Sequence, residues 1–373
     1  MKKRSQVFFP IVVGLLGGLA GYWGASYLGV LFKGMSVTSA IIVVAGIVPA
    51  YFLAVAFHEA GHALTGVWVG FDFKMYVVGP FLWERNDHGL HFRWNRNVNA
   101  SGGMVISIPV ASPRLARNFA LFAAGGPVAS LLAAALLWVF ADLVSSGVPE
   151  AAAVQVVAAL FRITAFLSVF LFLITAIPFH SKGFSSDGAR VFRLLRGGDV
   201  ARFELLMLKL VAQAWGGVRY AGLDEREVEE AHNLGEQLQS PMRVHVDGIW
   251  YHHLFDRGDL DLAEEKLSLY LSQVDTIPKG LQGAVWLDAA FFYAYARKDL
   301  TRATDCWTRF EMSALIPKAS VLATEAAVAL LKGEREIAKE RLEQAWKEVD
   351  YMLDKGGAVS LREKIQRMQS QLG

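Results

Sequence analysis

Residues 57–64 read Phe-His-Glu-Ala-Gly-His-Ala-Leu. His58 and His62 are four apart, so on a helix their imidazoles leave the same face one turn apart and can grip one zinc ion. Glu59 projects beside that position and is placed to take a proton from zinc-bound water. The alternative is a pair of hydrogen-bonded helix histidines. The location argues against it, because 24 uncharged residues, 34–57, run straight into His58. Two histidines and a glutamate in or beside a membrane span are costly without partners or a function.

A catalytic zinc usually has three protein ligands and one open position. The best candidate for the third is Asp187, in the run Phe-Ser-Ser-Asp-Gly-Ala-Arg at 184–190. It follows the last apolar run on the side where the histidine helix ends, and Gly188 permits a sharp turn there. Its carboxylate would also halve the double charge that two neutral histidines leave on the metal. Asp187 fits equally well as the N-cap of a helix over 188–196. His180 is the runner-up ligand, while His88 and His91 read as solvated residues of a hairpin. One Zn2+ per chain is the cofactor expected.

The elements that must position these residues follow from charge and hydropathy. The chain has 373 residues and a formal net charge of +2. Residues 1–189 hold 12 Lys/Arg and 7 Asp/Glu, against 25 and 28 in 190–373, so a membrane half precedes a soluble one. The near-neutral total excludes a generic nucleic-acid binder, and the single cysteine, Cys306, excludes an intrachain disulfide or a cysteine zinc cluster. Four spans are expected: 5–32, 34–57, 118–141 and 163–179. Arg162 interrupts the fourth, which 151–160 extends if Arg162 snorkels. Lys and Arg cluster before span one, between spans two and three and after span four, which puts both termini in the cytoplasm. Between spans two and three, 71–77 and 90–94 alternate apolar with polar around the turn-forming 86–89, predicting a β-hairpin at the membrane surface.

Taken together, these residues resemble the site-2 protease family of intramembrane zinc metalloproteases over about residues 35–195. The His58–His62 helix matches the first family motif. Gly125-Gly126-Pro127-Val128-Ala129-Ser130 is similar to its Gly-Pro motif, and Pro178 followed by Asp187-Gly188 is similar to its Asn-x-x-Pro…Asp-Gly motif. The resemblance implies an Asp zinc ligand, which favours Asp187 over His180, and a site sunk in the bilayer near its cytoplasmic face. Thr175 and Ser130 stand where the family often has Asn, Ser186 stands where Leu usually precedes the Asp, and the Pro178–Asp187 gap is longer than in many members. The glycine-proline run itself reads as close helix packing with a kink, the alternative being backbone approach to the metal helix or substrate.

In the soluble half three stretches resemble one another: 255–263, 295–303 and 331–338. Each ends one helix, turns at a Gly/Lys-acidic pair and begins another bearing Ala263, Ala303 or Ala338. Their spacing resembles the tetratricopeptide period over about 235–350, which implies a concave surface for a protein partner. Residues 199–223 read as a linker helix against the membrane domain, and Cys306 as a buried, inert thiol.

The fold class expected is a polytopic α-helical membrane domain, 1–198, with four spans and a small hairpin, plus a cytoplasmic all-α repeat domain, 199–373. The function expected from the resemblance is an intramembrane zinc endopeptidase acting on membrane-protein or peptide substrates, with Glu59 as general base and an extended substrate strand paired to the hairpin edge. The location expected is a bacterial cell membrane. A catalytically inactive scaffold that binds partners through its repeats is the alternative; a scaffold has no need of Glu59. A metal-dependent transporter fits less well with four spans and no paired broken helices.

Overall fold

The structure, a computed structural model, describes residues 18, 22, 24, 26, 29–86, 89–95, 102–109, 114–147, 151–181, 184–277, 279–313 and 315–372. It is mostly helical and packs into two compact units. Residues 1–69, 102–105 and 118–192 form the first; residues 70–101, 106–117 and 193–373 form the second. The membrane-like and soluble-like halves therefore divide near Phe192, and most of the sheet residues between spans two and three group with the second unit.

In the first unit three helices are long and apolar enough to cross a membrane: α1, Val37–Trp68; α2, Leu115–Gly147; and α3, Ala152–Ala176. Most of the first expected span, 5–32, lies outside the described residues; those of it that are described are helical. Ser36 caps α1 by accepting from the Ser39 amide. At 1.5 Å per residue His58 lies about 32 Å along α1. The helix continues to Trp68 instead of ending at the histidines, so both imidazoles sit on continuous helix.

α1 and α3 bury Val43, Ala50, Ala159 and Ile163 between them. Gly46 is needed for this approach, because a Cβ there would stand 2.4 Å from Leu160 Cδ2. Ile41, Val44 and Val48 of α1, Leu132, Leu136 and Val139 of α2, and Val169 and Leu173 of α3 are exposed, an apolar surface of the kind a bilayer covers. Arg162 lies inside α3, not at its end, and pairs with Asp142 of α2 at 2.9 Å; the expected interruption is a helix-to-helix ion pair.

After α3, the two-residue strands β5 (His180–Ser181) and β6 (Phe184–Ser185) pair antiparallel and lead into α4, Asp187–Arg196. The strands before α2 form a four-stranded sheet in the order β3-β2-β1-β4: β1, Asp72–Val78; β2, Phe81–Asn86; β3, Gly89–Trp94; β4, Gly103–Ile108. This corrects the expected hairpin. The strand over 81–86, unread in the sequence, pairs with both predicted strands. Gly79, at φ +52°, makes the turn that admits it. Met75, Val77 and Leu82 are buried on one face, whereas Tyr76, Phe81, Trp83, Phe92 and Trp94 form a ring cluster on the other. The edge strand β3 is exposed along its length.

The rest of the second unit is helical: α5, Asp199–Trp215; α6, Glu225–Gln237; α7, Arg243–Arg257; α8, Leu260–Ser272; α9, Lys279–Phe292; α10, Leu300–Thr308; α11, Lys318–Lys332; α12, Arg335–Glu348; and α13, Lys355–Gln369. The three similar stretches fall on the turns α7–α8, α9–α10 and α11–α12. Each turn carries one left-handed residue, Gly258, Lys298 or Gly333, which stops the first helix and reverses the chain. Ala263, Ala303 and Ala338 are fully buried one turn later, where a larger side chain would push paired helices apart. Residues 199–223, expected as a linker, instead belong to this unit. Phe203 and Leu210 of α5 pack with Val228, Ala231 and Val246. Cys306 is buried and free.

Candidate metal centre

His58, Glu59 and His62 are all buried on α1. The helix can bear them because α2 lies directly against it and supplies partners. Gly61 and Gly125 make the closest approach. A Cβ on Gly61 would stand 2.2 Å from the Gly125 carbonyl oxygen, and a Cβ on Gly125 would stand 2.4 Å from Thr65 Oγ1. A Cβ on Gly126 would stand 2.2 Å from His62 Nε2. The glycine pair in α2 therefore serves both roles raised by the sequence, helix packing and backbone approach to the metal helix.

That approach brings two further groups of α2 to the histidines. The Phe122 carbonyl lies 2.8 Å from His62 Nδ1, and the fully buried Ser130 hydroxyl lies 2.9 Å from His58 Nδ1. A carbonyl only accepts, so His62 Nδ1 donates and the neutral ring presents Nε2 as a bare lone pair. Both Nε2 atoms turn inward, 3.3 Å apart. Sequence reasoning missed Ser130 and Phe122 as partners. A signal was present: Phe122, Gly126 and Ser130 are spaced by four, so they share one helix face, and Ser130 is the polar residue of that face in an otherwise apolar stretch.

Asp187 closes the group. Its Oδ2 lies 3.4 Å from His58 Nε2 and 3.5 Å from His62 Nε2. Asp187 is not the cap of its helix. Ser186 takes that role, its hydroxyl accepting from the Ala189 amide at 3.2 Å and the Phe179 amide at 3.1 Å while donating to the Ile177 carbonyl at 2.8 Å. The Asp187 carboxylate is thus left to the histidines. Gly188 is required for contact rather than for a turn: a Cβ there would stand 1.8 Å from the Ala176 carbonyl oxygen, where α4 begins against the end of α3. Burial alone would raise the Asp187 pKa, but the two imidazoles beside it hold it well below the usual carboxylate range. At neutral pH it is the anion a cation site requires.

His58, His62 and Asp187 are the one such group of potential ligands among the described residues. Zinc bonds of 2.0–2.1 Å in tetrahedral geometry imply ligand-to-ligand edges of about 3.3–3.4 Å. The observed edges of 3.3, 3.4 and 3.5 Å match. With both rings neutral and Nε2 facing inward, the three ligand atoms would meet lone pair to lone pair, a repulsion that a cation among them offsets. The donor set and its spacing therefore fit a bound metal ion.

Glu59 does not join this triangle. Its side chain runs beneath the start of β4, where a Cβ on Gly103 would stand 2.4 Å from Glu59 Cγ and 2.5 Å from Oε1. The other sequence candidates stay apart. His91 is exposed on β3, and His88 and the side chain of His180 lie outside the described part. Thr175 donates to the Leu171 carbonyl of its own helix at 2.8 Å. The chain matches no family model, no curated protein and no solved structure.

The hydroxyl of Ser130 orients His58, and loss of such a partner typically weakens metal affinity about 10–100-fold. Ser130→Ala should shift zinc competition against a chromophoric chelator by that factor while leaving one site per chain. An unchanged competition curve would mean that helix packing alone sets the His58 ring.

Proposed function

We propose that this chain is an intramembrane zinc endopeptidase of the site-2 protease type. The observation carrying this reading is the buried triangle of His58, His62 and Asp187 on and beside an apolar helix of spanning length, with Glu59 next to it. A zinc ion held there would act as a Lewis acid and lower the pKa of a water molecule. The residues do the rest. The Phe122 carbonyl and Ser130 fix the two imidazoles. Glu59 takes the proton of the attacking water and passes it to the leaving amine. Gly103 keeps the β4 backbone close to that carboxylate, and burial among α1, α2 and α4 limits bulk water.

On this reading the substrate is a membrane protein or peptide, unwound locally so that its scissile bond is no longer shielded by helical turns. Residues 1–198 form the membrane-embedded protease, multi-pass with both termini cytoplasmic by the Lys/Arg distribution, in a bacterial cell membrane. Residues 199–373 form a tetratricopeptide-like domain that engages a protein partner.

The test uses the full chain in detergent or liposomes with single-span reporter peptides. Cleavage within or beside the apolar segment, lost on chelation and restored by zinc, is expected. A chain that binds one zinc and leaves every reporter intact would overturn the enzyme in favour of a scaffold.

A further inference from the structure

The helical domain holds a cavity unconnected with the metal centre and the proposed protease activity. The cavity, of about 330 Å³, opens among α5, α7, α9, α11 and α13, within the size range of small-ligand pockets. Its walls include the rings of Trp215, Tyr220, Tyr251, His252, Phe255 and Phe291, and its charged lining residues are Asp288, Asp354 and Lys364.

Asp354 is oriented by neutral donors, whereas Asp288 is paired with a histidine. Tyr220 donates its hydroxyl to Asp354 Oδ2 at 2.9 Å, and the Gly357 amide donates to Oδ1 at 2.9 Å. No ion pair reaches Asp354 among the described residues. Asp288 has His252 Nε2 at 3.2 Å, and His252 stacks on Tyr220 with centroids 4.9 Å apart. The lysine is already committed. Lys364 Nζ lies 3.3 Å from Asp256 and 4.7 Å from the Phe255 ring centre. Asp256 also takes Arg219 at 2.7 Å. Burial pushes the Asp354 carboxyl up against the pull of the Gly357 amide, the Tyr220 hydroxyl and His252. A positive charge brought beside Asp354 would favour its anion against that burial.

Carboxylates and aromatic faces both favour a cation, while the apolar remainder of the wall favours hydrocarbon. We propose that this cavity binds an organic cation, an ammonium or guanidinium group on an apolar stem, with Asp288 and Asp354 receiving the charge. Such a group can come from a free amine or from a Lys or Arg side chain of a peptide.

The test titrates the full-length chain in detergent by calorimetry with benzylamine, its neutral counterpart benzyl alcohol, and the blocked dipeptide amides acetyl-Phe-Arg and acetyl-Phe-Gln. A cationic probe should bind at least about tenfold tighter than its neutral partner. Tighter binding of the Arg peptide than of benzylamine would identify a side chain as the source, and the reverse would identify a free amine. Asp354→Asn, which can still cap α13, should weaken the cation about tenfold. Ala284→Phe, which fills the cavity and removes no charged group, should abolish binding. Zinc content and circular dichroism, unchanged in both variants, exclude misfolding. Equal affinity for charged and neutral probes, or variants that bind as wild type does, would overturn the proposal.

Discussion

Glu59→Gln is expected to stop peptide hydrolysis while leaving the zinc in place. Glutamine has nearly the same shape as glutamate, so it should fit the space between α1 and Gly103, where a single added carbon would already clash. It keeps hydrogen-bonding capacity and loses only the ability to accept and return a proton. Positioned general acid–base groups typically contribute about 10²–10⁴ in rate, so cleavage of a single-span reporter should fall by at least that factor. Metal content should stay at one per chain, because Glu59 lies outside the His58, His62 and Asp187 group. Folding stability should hold or rise, since a neutral amide replaces a buried carboxylate. Wild-type turnover in this variant would place the base elsewhere. Loss of both turnover and zinc would mean that Glu59 supports the metal instead.

The parts of this arrangement differ in how far the sequence revealed them, for a physical reason. Periodicity is local. The i, i+4 histidines, the long apolar runs and the helix–turn–helix stretches of the soluble half each depend on a few consecutive residues. Those that fall on described residues lie on continuous helices or at left-handed turns. The metal triangle needs residues 129 positions apart to meet, and the sequence offers Asp187 for the third corner with His180 as runner-up. What stayed hidden depends on contact across elements. The Ser130 hydroxyl gains its role because Gly61 and Gly125 let two helices touch, and that distance is absent from any local pattern. Ser186 displaces Asp187 from the cap because its hydroxyl serves both the helix and the preceding turn, a choice two adjacent polar residues do not announce. Strand β2 was missed because its pairing on both sides makes three strands of a run that read as two.

Asp187→Ala should remove the zinc, and the size of the effect separates it from every neighbouring substitution. Structural zinc sites are worth about 10–16 kcal/mol in all. Losing one of three protein ligands therefore removes about 3–5 kcal/mol, a factor of about 10²–10⁴ in affinity. The charge argument points the same way. Asp187 is the anion of the set, and without it two neutral imidazoles would hold a doubly charged ion in an apolar surrounding. His180→Ala, by contrast, should leave affinity unchanged, since the triangle is complete without it. Purified wild-type, Asp187→Ala and His180→Ala chains, dialysed against the same chelator and assayed for zinc, decide between the two ligands. Zinc retained by Asp187→Ala and lost by His180→Ala would reverse the assignment. Zinc retained by both would leave the histidine pair as the core of the site and move the third ligand to a residue not yet considered. The helix cap cannot confuse the result, because the hydroxyl that accepts from the Ala189 amide belongs to Ser186 and remains in both variants.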